Sequence, residues 1–198
     1  MSALDDQRVR LAFLEIGSED ARNLESLKPV LEKHAHSVVA AFYRHLLSFE
    51  ETHRLLADPD VKSRLLVAQR EYLLSLADAP IDAAYFASRR AIGVTHMRVG
   101  LEPRWYLGAY ALYQRLLVPL IWEHHRGNPP LIERIVISLH KRLMLDAQLA
   151  MESYIEHREE RLAFLNAELT AASRELGRRY DREHERLREV SERARAAE

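Results

Sequence analysis

The run Ile92-Gly93-Val94-Thr95-His96-Met97-Arg98-Val99-Gly100-Leu101-Glu102-Pro103-Arg104-Trp105-Tyr106 holds the residues best placed for chemistry. It reads as the end of a helix, a short turn, and a new helix opened by Pro103. A histidine one turn before a helix stop can aim a ring nitrogen into the space between two helices, as a proximal ligand to haem iron does. Trp105 and Tyr106 would sit next to that ring. The plainer alternative is a helical histidine satisfied by a backbone carbonyl, and spacing alone leaves both readings open. Tyr43 is the second candidate, lying mid-helix in Phe42-Tyr43-Arg44-His45. It is either a core tyrosine with its hydroxyl at the rim or a donor aimed at a ligand on the far side of the metal. A buried phenol needs a partner, and bound oxygen, with partial negative charge on its outer atom, would be one.

Other polar clusters carry less. His124 and His125 are adjacent on a helix and point about 100° apart, so they do not chelate together; they suit a helix C-terminus. His34 and His36 fail for a similar reason. The acidic stretch around Glu152 and His157 reads as a solvated face. There is no HExxH, no paired Glu-x-x-His set, no phosphate-binding loop and no nucleophile elbow. The chain has no cysteine, which excludes disulfides, thiolate metal sites and thiol catalysis. The absence of a catalytic constellation points to a chain that senses or binds rather than an enzyme.

The elements that must position these residues are helical. Apolar periodicity follows the helix nearly everywhere across the 198 residues, and no alternating strand run stands between turn residues. Net charge is -1, from 29 basic and 30 acidic residues, which argues against a nucleic-acid surface. No apolar run approaches the ~20 residues needed to span a bilayer, and the N-terminus lacks a signal pattern, so a cytoplasmic protein is expected. Helices are expected over 4–16, from Ser18 as N-cap to about 27, from Pro29 to about 49, from Asp58-Pro59 to the Ala79-Pro80 break, over 82–99, and over 103–125 with a kink at Pro119. Gly127-Asn128-Pro129-Pro130 is a firm stop. A last helix begins near Leu131 and meets no breaker except Gly177.

That last helix changes character near Arg158. Before it, the apolar face is broad. After it, apolar residues narrow to a seam spaced four and three apart: Leu162, Asn166, Leu169, Ser173, Leu176, Tyr180, Glu183, Leu187, Val190 and Ala194. Charges on 158–198 balance, with 10 basic and 10 acidic residues. This is a two-helix coiled-coil pattern with Asn166 as a register-setting polar residue. A helix over 158–198 would run about 60 Å and needs a partner helix, most simply from a second copy of the chain. The chain stops mid-helix at Ala196-Ala197-Glu198, so an output domain is expected beyond it.

The stretch from Arg89 to Tyr110, with its His-x-x-x-Gly-Leu-x-Pro-x-Trp-Tyr pattern, resembles the haem-binding segment of globin-coupled sensors. The resemblance extends over about residues 5–156, including a leading extra helix and the Phe42-Tyr43 pair. It implies an all-α globin fold (a sensor globin without a D helix) over 1–157, followed by a coiled-coil linker helix over 158–198. It implies haem b as cofactor, His96 as axial ligand and Tyr43 as the distal tyrosine that hydrogen-bonds bound oxygen. Tyr106 would contact the proximal histidine, and Phe42 would pack on the porphyrin edge. Met97 and Trp105 would complete the haem pocket with a distal contribution from Leu65–Gln69, where Leu66, Val67 and Ala68 are the candidates. No Ser or Thr occurs from 64 to 74, so Tyr43 is the only obvious distal donor. The implied ligands are O2, CO and NO, with cyanide or imidazole as further candidates. The implied partner is a second copy of the chain, through helices 103–125 and 131–156 and the coiled coil, with Leu112, Leu116, Leu120, Ile132, Ile135 and Leu139 supplying apolar surface. The expected function is a haem-based oxygen sensor regulating a C-terminal output module. A two-component histidine kinase leads, from the Arg-Ala-Arg-Ala-Ala-Glu ending. A diguanylate cyclase or chemotaxis transducer would use a similar linker, and a haem-free interaction module or a nitric oxide dioxygenase stands as the rival class.

Overall fold

A computed structural model describes residues 3–78 and 80–195; Ala79, the end at Ala196-Ala197-Glu198, and the side chains of the seam residues Val190 and Ala194 lie outside the described residues. Eight helices follow one another among them: α1 (Ala3–Phe13), α2 (Ser18–Glu25), α3 (Lys28–Leu46), α4 (Glu50–Leu55), α5 (Pro59–Asp78), α6 (Ala83–Arg98), α7 (Pro103–His124) and α8 (Pro129–Arg195). The chain divides into one compact unit, Met1–Tyr154, and a second, Ile155–Glu198. No helix among the described residues is long and apolar enough to cross a membrane.

Local chemistry sets most helix ends. The Asp58 carboxylate accepts from the Asp60 N–H at 2.8 Å and so opens α5. Asp82 caps α6 by accepting from the Tyr85 N–H at 2.9 Å. Pro103 opens α7, where its missing N–H costs nothing. At α2 the N-cap is Gly17 rather than Ser18, and the Asp20 carboxylate takes the Gly17 N–H at 2.9 Å. The helix α4 carries no sequence signal, because six residues are too few to show a period. It is anchored by Thr52, whose hydroxyl donates to the Leu46 carbonyl. Pro119 does not end α7, which continues to His124.

The core of the first unit joins α3, α5, α7 and the first part of α8 through Leu31, Phe42, Leu73, Leu117, Ile135, Leu139 and Leu143. A smaller cluster of Tyr85, Phe86, Leu145 and Leu149 is covered by Leu11, Leu14 and Ile16, from α1 and the turn after it. The broad apolar face of α8 is thus consumed within the chain. Leu112, Ile132, Ile135 and Leu139, expected as dimer surface, are buried in this core. They face inward because α7 and α8 must cover α3 before anything else. On α7 and on α8 as far as Tyr154, the large apolar residues left exposed are Leu107, Trp122 and Ile137. In the second unit, Leu162, Leu169, Leu176, Tyr180 and Leu187 lie exposed along one stripe, Leu169 at 69%.

Gly93 is where α6 touches α8. A Cβ there would lie 2.7 Å from the Ala150 carbonyl oxygen and 2.8 Å from its Cα. These are backbone atoms that cannot swing aside, so Gly93→Ala should cost about 1–3 kcal/mol. Gly108, on α7 with nothing within 4 Å, should gain roughly 0.5–1 kcal/mol on the same change. Urea unfolding of the two variants beside the parent checks both signs.

Candidate functional site

His96 sits in the last turn of α6, and its position is over-determined by the helix end. Gly100 adopts φ +79°, in the left-handed region that favours glycine. Its N–H donates to the Met97 carbonyl and the Leu101 N–H to the His96 carbonyl, both at 3.0 Å. This is the Schellman arrangement. The chain then returns to α8 at once, because the Tyr154 hydroxyl donates to the Leu101 carbonyl at 2.9 Å.

The ring of His96 is fixed from two sides. Its Nδ1 lies 2.8 Å from the Ile92 carbonyl oxygen, which can only accept, so Nδ1 carries the proton and Nε2 keeps its lone pair. The Tyr106 ring meets it edge-on at 4.9 Å between centroids. Tyr106 is held in turn by a 3.0 Å hydroxyl contact with Tyr110, and burial pushes its phenol up to about 12. Burial lowers the His96 pKa, opposed by the Ile92 contact, so the neutral imidazole is favoured. An imidazole ligand to iron must be neutral and leave one nitrogen free, and His96 meets both conditions. A backbone contact and an open coordinating nitrogen are therefore compatible on one side chain, because they use different nitrogens.

Across the core, Tyr43 on α3 is 5% exposed, and burial alone pushes its phenol up to about 12. Its neighbour Phe42 stands edge-on to it at 5.6 Å and stacks on Tyr113 of α7 at 4.7 Å. On α5, Leu65 and Leu66 pack against the core. Val67, at 60% exposed, and Ala68 turn to the surface, since each residue rotates by about 100° around the helix. Of the three α5 candidates, Leu66 alone joins the core. Met97 is half-buried beside His96. Trp105 does not stack on His96; it leans on Phe49 at 5.3 Å, with its indole Nε1 buried and unpartnered.

One buried assembly was not foreseen. Asp146 of α8 is 0% exposed. It accepts from the Tyr72 hydroxyl at 2.8 Å and from the Tyr85 hydroxyl, and pairs with Arg89 at 3.2 Å. Arg89 lies between the Tyr72 and Tyr85 rings and donates to Ser75 Oγ at 3.0 Å. α5, α6 and α8 thus meet on one carboxylate. The available signal was an aspartate set in the apolar run Leu143–Ala150, since a buried carboxylate demands partners.

The His96 titration has a sign. With its folded pKa below the ordinary ~6.5, only the unfolded chain takes up that proton as pH falls through 6–6.5, roughly, so the folded state loses ground there. Urea midpoints of the haem-free parent should therefore drop between about pH 7.5 and pH 5.5 more than those of His96→Leu. An equal drop would mean that His96 titrates freely.

The Protoglobin family model matches residues 5–160. The heme-based aerotactic transducer HemAT of Halobacterium salinarum is 34% identical over 171 residues, covering 80% of this chain and 35% of that protein, so the chain spans about a third of its length. The globin domain of a Geobacter sulfurreducens globin-coupled sensor superposes with TM-score 0.70 at 24% identity, over 74% of this chain and 96% of that one. The ferric globin domain of E. coli DosC gives TM-score 0.57 at 16% identity, over 76% and 97%. These two structural likenesses establish the fold.

Proposed function

The chain belongs to the Protoglobin family, and from that we propose that it is a haem-based sensor of a diatomic gas, dioxygen first, which signals through α8. The observation that carries this is His96, a half-buried imidazole whose neutral form is favoured by burial and whose Nδ1 is committed to Ile92, leaving Nε2 open. Haem b, when bound, supplies the ferrous iron that takes the gas. His96 would hold it through Nε2, with Tyr106 limiting rotation of the ring. Tyr43 would donate a hydrogen bond to the ligand from the other side, and CO and NO would enter the same site.

The path outward runs through α6. Its contacts with α8 include the Gly93–Ala150 approach, the Arg89–Asp146 pair, Arg90 to Glu152 at 2.8 Å, and Ser153 Oγ to the Arg90 carbonyl at 3.1 Å. A shift of the His96 ring therefore loads α8 directly. The exposed seam over Leu162–Leu187 supports pairing with a second copy as a coiled coil. Leu107, Trp122 and Ile137 offer further apolar surface for a homodimer. The 34% identity to an aerotactic transducer supports a transducer output ahead of the histidine kinase expected from the final residues.

Two variants test the reading. The parent should show a Soret band after haem supplementation. His96→Ala should lose most of it and recover pigment with free imidazole; pigment unchanged without imidazole would remove the axial role. Tyr43→Phe should release dioxygen ten- to a hundredfold faster, as roughly 1.5–3 kcal/mol of charge-assisted hydrogen bond implies. Stopped-flow dissociation measures it.

A further inference from the structure

Tyr113 stands out among the core side chains. It is 3% exposed, and its hydroxyl is buried without a hydrogen-bond partner. Leaving such a group unsatisfied costs about 1–3 kcal/mol, so a buried orphan hydroxyl in a well-packed core points to a partner that is not protein. Phenylalanine would fill the same space without that cost. The surroundings say which partner. The Tyr113 ring stacks on Phe42 at 4.7 Å and 16°, and Phe42 in turn meets Tyr43 edge-on at 5.6 Å. The Tyr72 ring closes the other side at 5.6 Å, but its hydroxyl is committed to Asp146. The charge of an ionised Tyr43 would be felt at the Tyr113 hydroxyl, which places the two phenols within electrostatic reach. Two phenols flank one Phe42 ring, one orphaned and the other shifted by burial alone.

We infer that Tyr113 is a second hydroxyl of the gas-binding site, so that a small ligand able to accept two hydrogen bonds, dioxygen rather than carbon monoxide, is recognised by Tyr43 and Tyr113 together. This rests on the sensor reading above and deepens it. A single donor from α3 would hold the ligand from one direction only. A second donor from α7 adds discrimination, because carbon monoxide accepts hydrogen bonds poorly. It also ties ligand recognition to α7, the helix that carries Tyr106 and through it touches His96.

The test is Tyr113→Phe in the full chain, alone and combined with Tyr43→Phe. In the haem-loaded protein, dioxygen dissociation should quicken about three- to tenfold, and carbon monoxide dissociation should stay within about twofold. In the Tyr43→Phe background the added effect on dioxygen should shrink, since the two hydroxyls share one ligand. In the haem-free chain, the urea midpoint of Tyr113→Phe should equal or exceed that of the parent, because an unpaired hydroxyl has been removed. A dioxygen rate unchanged in Tyr113→Phe, while Tyr43→Phe is fast, overturns the inference and leaves the sensor reading standing. A lower haem-free midpoint also overturns it, by showing that the hydroxyl is already paired within the protein. A parent chain that takes up no haem removes both readings together.

Discussion

One proton governs the chemistry at position 96. It resides on Nδ1, because the Ile92 carbonyl 2.8 Å away can only accept. That commits Nε2 to be the basic nitrogen and fixes the plane of the ring. Burial works in the same direction by disfavouring the imidazolium. Ring orientation, basicity and protonation state are therefore set by the helix itself, before any cofactor enters. Tyr106 only narrows what the Ile92 contact has already chosen.

For that ring to matter, its helix must be firmly held, and α8 does the holding. Buried ion pairs contribute little net stability, because both charges give up water. What the Arg89–Asp146 pair contributes is registration: sliding α6 along α8 would strand two charges in a dry core. The Gly93–Ala150 approach adds a steric stop one turn before His96. Tyr72 brings α5 to the same carboxylate, so the helix on the opposite side of the core shares the anchor. A packed core with such discrete contacts moves between alternatives rather than deforming smoothly.

The two ends of α8 obey different physics. Up to Tyr154 its side chains are consumed by the core of the first unit. From Ile155 onward, the charged faces are laced by pairs such as Arg179 with Glu175 at 3.0 Å, which contribute little at an exposed surface. The apolar stripe of Leu162, Leu169, Leu176 and Leu187 is left to face water. A helix of that composition gains stability when its stripe is covered by another helix.

The sequence by itself determined the all-helical class, the break at Gly100 and Pro103, the candidacy of His96 and Tyr43, the Tyr106 contact and the seam after Arg158. Each rests on short-range physics: a period, a cap, a stop, or a fixed offset along one turn. Only the tertiary structure decided that Trp105 leans on Phe49, that Val67 and Ala68 face outward, and that Leu112, Ile132, Ile135 and Leu139, assigned to a partner, serve the chain's own core. The Asp146 assembly and the orphaned Tyr113 hydroxyl belong to the same group. Asp146 is reached from residues 61 and 74 positions away along the chain. Whether two side chains so far apart meet depends on how helices cross, and no local pattern encodes that angle.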